Sequence, residues 1–272
     1  MTDDHHTAES SATEPSHVFE HVLVGVDGTT AGLEACRQAG VLVDPEGSLD
    51  LVFVAETALA VHAGMSAPRI VEEMEQEGKN ALAAAAEIVG GRASARLIEG
   101  APTATLLDES EKTGATLVVV GSHGHSRAAE IVLGGVSGEV LHRAPCSVLI
   151  ARSPAGDAPF PRSLLVGVDG SEGARRALEV GRRLAVRFAV PLRIVCAVRD
   201  TDADLERIHL QTTFCEEIDD RPVEALHEAS HDVGLLIVGS RGLHGLRALG
   251  SVSERIAHVA ACSVLVVREP QR

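Results

Sequence analysis

The run "HVLVGVDGTTAGLEAC" at residues 21–36 returns as "SLLVGVDGSEGARRAL" at residues 163–178. In each copy an unbroken apolar run, Val22–Val26 in the first, leads to Asp-Gly followed by Thr or Ser. Apolar residues without alternation are what a strand needs when helices cover both of its faces, as in a parallel sheet. The hydroxyl residue after the turn suits a helix N-cap, Thr29 or Thr30 in the first copy. The stretch therefore reads strand, tight turn, helix, and the chain makes that unit twice.

Two more matches follow in the same order. "LVVVGSHGHS" at 117–126 pairs with "LLIVGSRGLH" at 235–244, and "APCSVLIAR" at 144–152 with "AACSVLVVR" at 260–268. Between the copies lies "SPAGDAPFP", residues 153–161, a linker by composition. The polar, acidic residues 1–17 are expected to form a disordered tail. Two domains result, over 18–152 and 162–272. In the first, strands are expected at Val22–Val26, Leu49–Val54, Ala93–Ile98, Leu117–Val120 and Ser147–Ala151. Helices are expected after the first strand, over 68–90, over Thr103–Thr113 and within Gly134–Ala144. That alternation predicts the α/β class, with two tandem, doubly wound parallel sheets. In such sheets a ligand lies beyond the C-terminal strand ends, where the strand order reverses. The second copy is trimmed: Asp27 to Gly121 is 94 positions, whereas Asp169 to Gly239 is 70. A brief helix near Asp202–Ile208 and a poor strand at Leu210–Cys215 are expected in the shortened part.

Composition narrows the function classes. A net charge of −15 over 272 residues disfavours nucleic acid and anionic lipid, which need basic surface. Tyr and Trp are absent and Phe numbers five, so stacking platforms for single strands are missing. No apolar run reaches the ~18 residues of a membrane span, and the N-terminus lacks a secretory pattern. The five cysteines are scattered without a CxxC pair and read as buried thiols. The expectation is a cytoplasmic protein that binds neither membrane nor nucleic acid.

The glycine-rich stretch "GSHGHSRAAEIVLGGVSGEV" at 121–140 is the leading site candidate. Gly121 closes a strand, Gly124 permits a tight turn, and Gly134, Gly135, Val136 and Ser137 lead into a helix. Backbone N–H groups at a helix start, together with the dipole, favour an anion. Ser137 can cap the helix or donate to a phosphate, and Ser122 belongs to the same nucleotide-binding set. His123, His125 and Arg127 supply local positive charge, opposed by Glu130. The His-Gly-His spacing lacks a third ligand, so no protein-held metal is expected there.

These motifs resemble the universal stress protein family in its tandem two-domain form, over nearly all of residues 20–268. The family's nucleotide-binding members carry VxVDGS and, later, G-x2-G-x9-G-[S/T] before a helix and APCPVLVV. This chain has "VGVDGT", "GSHG", "GG" and "APCSVLIA" in order. The resemblance implies a five-stranded, Rossmann-like α/β domain of adenine-nucleotide-binding type. It implies ATP as the ligand, often with a divalent metal such as Mg or Mn; other members bind no nucleotide. Asp27 would then face the nucleoside or the phosphate-bound metal; the alternative is an Asx-turn that caps the next helix. Gly25 would leave room for a base. Val54 would contact adenine through its backbone, or serve as plain core.

Each copy departs from the family pattern. Between Gly124 and Gly134 lie nine residues, as the pattern asks, but Gly135 stands where it has Ser or Thr. One lost hydroxyl bond is worth ~1 kcal/mol. In the second copy Ser251 restores the hydroxyl, and Ser251-x-x-Glu254 suits a capping box. There only seven residues, 243–249, separate Gly242 from Gly250. Asp169, Gly239, Gly242, Gly250, Ser251, Val252 and Ser253 thus form the weaker second site. No triad, HExxH or P-loop is present, so at most slow ATP hydrolysis is expected. The expected function is regulatory binding of ATP through the first copy. The alternative is a nucleotide-free interaction module that uses its sheet edges. In either case the runs "SVLIA" and "SVLVV" are expected to pair within the chain as a pseudo-dimer, which then assembles as a homo-oligomer.

Overall fold

A computed structural model describes residues 17–57, 67–122, 133–154, 159–197, 215–218, 221–240 and 250–269. The first repeat runs β1 (His21–Val26), α1 (Thr30–Leu42), β2 (Ser48–Ala55), α2 (Ala67–Ile88), β3 (Ala93–Glu99), α3 (Pro102–Thr113), β4 (Leu117–Gly121), α4 (Gly135–Arg143) and β5 (Ser147–Ala151). The second runs β6 (Leu164–Val168), α5 (Glu172–Phe188), β7 (Leu192–Ala197), β8 (Glu216–Ile218), α6 (Pro222–Ser230), β9 (Leu235–Gly239), α7 (Ser251–Val259) and β10 (Ser263–Val267). The α/β class and the strand positions of the first repeat agree with the sequence reading to within a residue or so. The strand expected at 210–215 lies almost wholly outside the described residues, as does the helix near 202–208. A three-residue strand, β8, follows instead and pairs parallel with β7.

Among the described residues ten strands form one sheet in the order β3-β2-β1-β4-β5-β10-β9-β6-β7-β8. Every pairing is parallel except β5–β10 at the centre. There Val264 faces Ile150, Leu265 faces Leu149 and Val266 faces Val148. The register is symmetric about Leu149–Leu265, so the two repeats meet as isologous partners would. Both central strands are buried along their whole length, a state that needs apolar residues on both faces.

Helices cover the sheet on both sides, and each side has one core running across both repeats. On one side α1, α2 and α5 bury residues such as Cys36, Leu42, Leu82 and Leu184. On the other, α3, α4, α6 and α7 bury Leu106, Val140, Leu226 and Ile256. Among the described residues no helix is long and apolar enough to cross a membrane.

Arginines lock the halves together. Arg152, just past β5, donates to Ala257 O (2.5 Å) and His258 O (3.2 Å) at the end of α7. Its repeat equivalent Arg268 donates to Ala144 O (2.5 Å) and to Leu141 O at the end of α4. Each helix C-terminus is thus capped by a cation from the other repeat, where the dipole favours positive charge. Burial pushes Arg152 down to about 10. On the α1 side, Arg187 donates to Leu42 O (2.9 Å) and Val43 O (2.5 Å) and pairs with buried Asp44 (2.8 Å).

Candidate functional site

In each half the strand order reverses between the first strand and its neighbour, β1 with β4 and β6 with β9. A crevice beyond the C-terminal ends of such a pair is where ligands sit in this architecture. The first crevice gathers Asp27 after β1, Gly121 and Ser122 at the end of β4, and Gly134 to Ser137 opening α4. Val54, near the end of β2, is half-buried beside Ile98 of β3. His123, Gly124 and Arg127 lie outside the described residues, as does Gly242 of the second site.

The Asp-Gly turn is built by local bonding. Thr29 N (3.0 Å) and Thr29 Oγ1 (2.7 Å) both donate to Asp27 Oδ1. Thr29 Oγ1 in turn accepts from Gly32 N, capping α1. Gly28 has φ +73° and Gly170 φ +74°, a left-handed turn that glycine adopts without strain. Asp27 therefore forms the Asx-turn foreseen as its second role. Among the described residues nothing bonds its other oxygen, Oδ2. Burial, and next the negative charge of Asp27, pushes the Cys36 thiol up to about 12.

The glycine loop is closed at its base: Gly134 N donates to Ser122 O (3.1 Å), and Ser122 N to Ala151 O (2.9 Å). Gly134 is the N-cap of α4 and supplies no side-chain cap. The first N–H groups of a helix have no partner within it. A side chain on Gly135 would meet nothing within 4 Å among the described residues.

Three expected roles are corrected. Ser137 Oγ donates to Gly121 O at 2.6 Å, and Ser253 Oγ to Gly239 O at 2.6 Å. These hydroxyl protons tie helix to strand end and are not presented to a phosphate. Gly25 leaves no open space on its side-chain face: a Cβ would stand 3.0 Å from Leu106 Cδ1 and 3.4 Å from Val120 Cγ1. Gly167 meets Leu226 in the same way, so both glycines admit a helix leucine onto the strand. The capping box at Ser251 does not form, because Gly250 takes the cap position and makes no side-chain cap bond. Ser251 is then one residue inside the helix, and Glu254 instead pairs with His142 Nε2 at 3.3 Å.

The helix starts at the two crevices differ in acidic residues. Neither helix that opens on the first, α1 or α4, carries an acidic residue in its first turn. Both helices at the second do: Glu172 on α5 and Glu254 on α7. They differ in closeness as well. A Cβ on Gly121 would lie 2.8 Å from Ala31 C, whereas one on Gly239 would lie 2.2 Å from Gly173 C. The second helix thus presses harder on its strand end.

Sequence reasoning overlooked Gly32. A Cβ there would stand 2.1 Å from Asp27 Oδ1, so glycine at this position lets the carboxylate fold over the first turn of α1. The second repeat has Ala174 in its place, a difference visible when the copies are aligned.

Fold and crevices together define a tandem, Rossmann-like α/β protein with a glycine-lined cleft at each reversal of strand order. The model of the universal stress protein family matches residues 19–152 and 202–268. Universal stress protein Rv2005c of Mycobacterium tuberculosis is 30% identical over 91% of this chain and 97% of its own length. Universal stress protein Mb2028c of Mycobacterium bovis matches to the same extent. The crystal structure of a universal stress protein from Archaeoglobus fulgidus superposes with a TM-score of 0.72. It is 22% identical and is covered over 98% of its chain and 94% of this one, which shows the shared fold. The chain belongs to the universal stress protein family.

Proposed function

We propose that the first repeat binds an adenine nucleotide, ATP, in the crevice beyond β1 and β4, and that the protein acts by this binding as a cytoplasmic stress regulator. The observation that carries the reading is the charge contrast: α1 and α4 start without acidic residues, whereas α5 and α7 start with Glu172 and Glu254. In a chain of net charge −15, a triphosphate needs a local exception of this kind. The first turn of α4 supplies N–H groups and the positive end of a dipole, and no described residue crowds Gly135 there. Asp27 offers Oδ2 to a divalent cation, which when bound would neutralise part of the phosphate charge. Val54 borders the crevice where the base would lie. No catalytic group is assigned.

A second reading, a nucleotide-free interaction module, is favoured by the internal bonds of Asp27 Oδ1 and Ser137 Oγ. Both groups have structural work whether or not a ligand binds. One experiment separates the two. The purified chain, which lacks Tyr and Trp and so absorbs weakly, is denatured and filtered, and the filtrate is chromatographed. An adenine nucleotide in the filtrate, with calorimetric binding of added ATP that Asp27→Ala weakens, supports the first reading. Repeated preparations without nucleotide, together with no heat on adding ATP, overturn the first.

A further inference from the structure

Of the five cysteines, Cys36, Cys146, Cys196 and Cys262 are buried and Cys215 is half-buried; none is in a disulfide. Cys196 lies one residue from the end of β7, and Cys215 immediately precedes β8. Cys196 is fully enclosed in the core on the α5 side. β7 and β8 run parallel with Cys196 opposite Glu217, so Cys215 stands two residues back. A two-residue offset returns a side chain to the same face of a sheet. The Sγ atoms are 2.9 Å apart. A disulfide spans ~2.05 Å, so about 1 Å of movement separates this pair from a bond.

We propose that Cys196 and Cys215 are a redox-active dithiol, closing to a disulfide when a small peroxide oxidises it. The half-exposed Cys215 reacts first. Its thiolate attacks one oxygen of hydrogen peroxide, the O–O bond breaks, and a sulfenic acid forms as water leaves. The Cys196 sulfur then attacks the Cys215 sulfur, the S–OH bond breaks, and a second water departs with the Cys196 proton. Two thiols are oxidised and one peroxide is reduced to two waters. The bond fixes β8 covalently to β7, placing a redox-sensitive joint at the outer strand of the second repeat. The first repeat has no counterpart: the same register positions on β2 and β3 hold Phe53 and Ala95. Cys36 and Cys146, pushed up to about 12 by burial, and Cys262, at about 11, are internal controls.

The test uses the full-length reduced chain, treated with hydrogen peroxide, blocked with iodoacetamide, and examined by intact mass and peptide mapping. Two of the five thiols should escape blocking, and the mass taken before blocking should fall by two hydrogens. Mapping should find 196 linked to 215, and dithiothreitol should restore both thiols. Cys215→Ser should keep its four remaining thiols at the same dose. The proposal is overturned if no thiol is lost, if another pair links, if Cys215 gains oxygen without a link, or if Cys215→Ser loses thiols as the parent does. Cys196→Ser is a further control; should that buried substitution prevent folding, the wild-type map and Cys215→Ser decide alone.

Discussion

The two crevices share a plan and differ in what surrounds them. Both have an Asp-Gly turn at φ near +73°, a glycine closing the neighbouring strand, and a serine on the next helix that bonds that glycine's carbonyl. Around the first, helix starts carry no acid, and no described residue crowds Gly135 on α4. Around the second, two glutamates stand at the helix starts, and Gly173 and Gly239 bring the backbones into closer contact. Duplication preserved the frame, because the frame is what lets strand, turn and helix close. Charge and clearance were free to diverge, because neither is needed to fold.

The sharpest way to break this comparison is to add a methyl where the second repeat has no room. In Gly173→Ala the new Cβ stands 2.2 Å from Ser240 O, a backbone atom that cannot swing away. A loss of ~3 kcal/mol or more is expected in urea unfolding. The first repeat already carries alanine there, and Ala31→Gly should cost only about 1 kcal/mol. Equal losses would mean that the helix starts are not differently packed.

Next come the crossed caps. Arg152→Ala and Arg268→Ala should each cost ~2 kcal/mol, since each removes a charged donor from buried helix-end carbonyls. An effect confined to one of them would deny the symmetry of the junction. On ligand binding, Asp27→Ala should weaken ATP about tenfold, or ~1.4 kcal/mol, while Asp169→Ala leaves affinity unchanged. The reverse ranking by calorimetry would move the site to the second repeat.

Gly32→Ala sharpens the same point with a smaller expected effect. Its Cβ displaces the tip of the Asp27 side chain rather than backbone, so stability should change by less than ~1 kcal/mol. ATP affinity should nonetheless fall, because the carboxylate can no longer fold over α1. Glu254→Gln should act least. It removes a negative charge from the start of α7 and should ease anion binding at the second crevice by roughly 0.5 kcal/mol, read as weak ATP binding in an Asp27→Ala background.

Much of this was legible along the chain. The apolar runs gave the buried strands, because a strand covered on both faces has no place for polar residues. Thr29 was legible as a cap because its hydroxyl acts within three residues of itself. The reversal crevice followed from the β-α alternation. The roles of Ser137, Gly25 and Ser251 were not. The Ser137 hydroxyl is claimed by a carbonyl sixteen residues away, and the Gly25 face by a leucine on α3. Ser251 fails as a cap because the chain direction at Gly250 starts the helix one residue earlier. Glu172 and Glu254, by contrast, were in plain sight, and only their shared position at helix starts gives them meaning.

By itself, then, the sequence determined the repeat, the α/β class and the placement of glycines and acids along each unit. These depend on hydrophobic period and local hydrogen bonding, which act over a few residues. Tertiary structure alone decided which groups are already spent, how closely helix meets strand, and that Arg152 and Arg268 cap each other's repeats. Those contacts join residues from sixteen to more than a hundred positions apart, where no local pattern reaches.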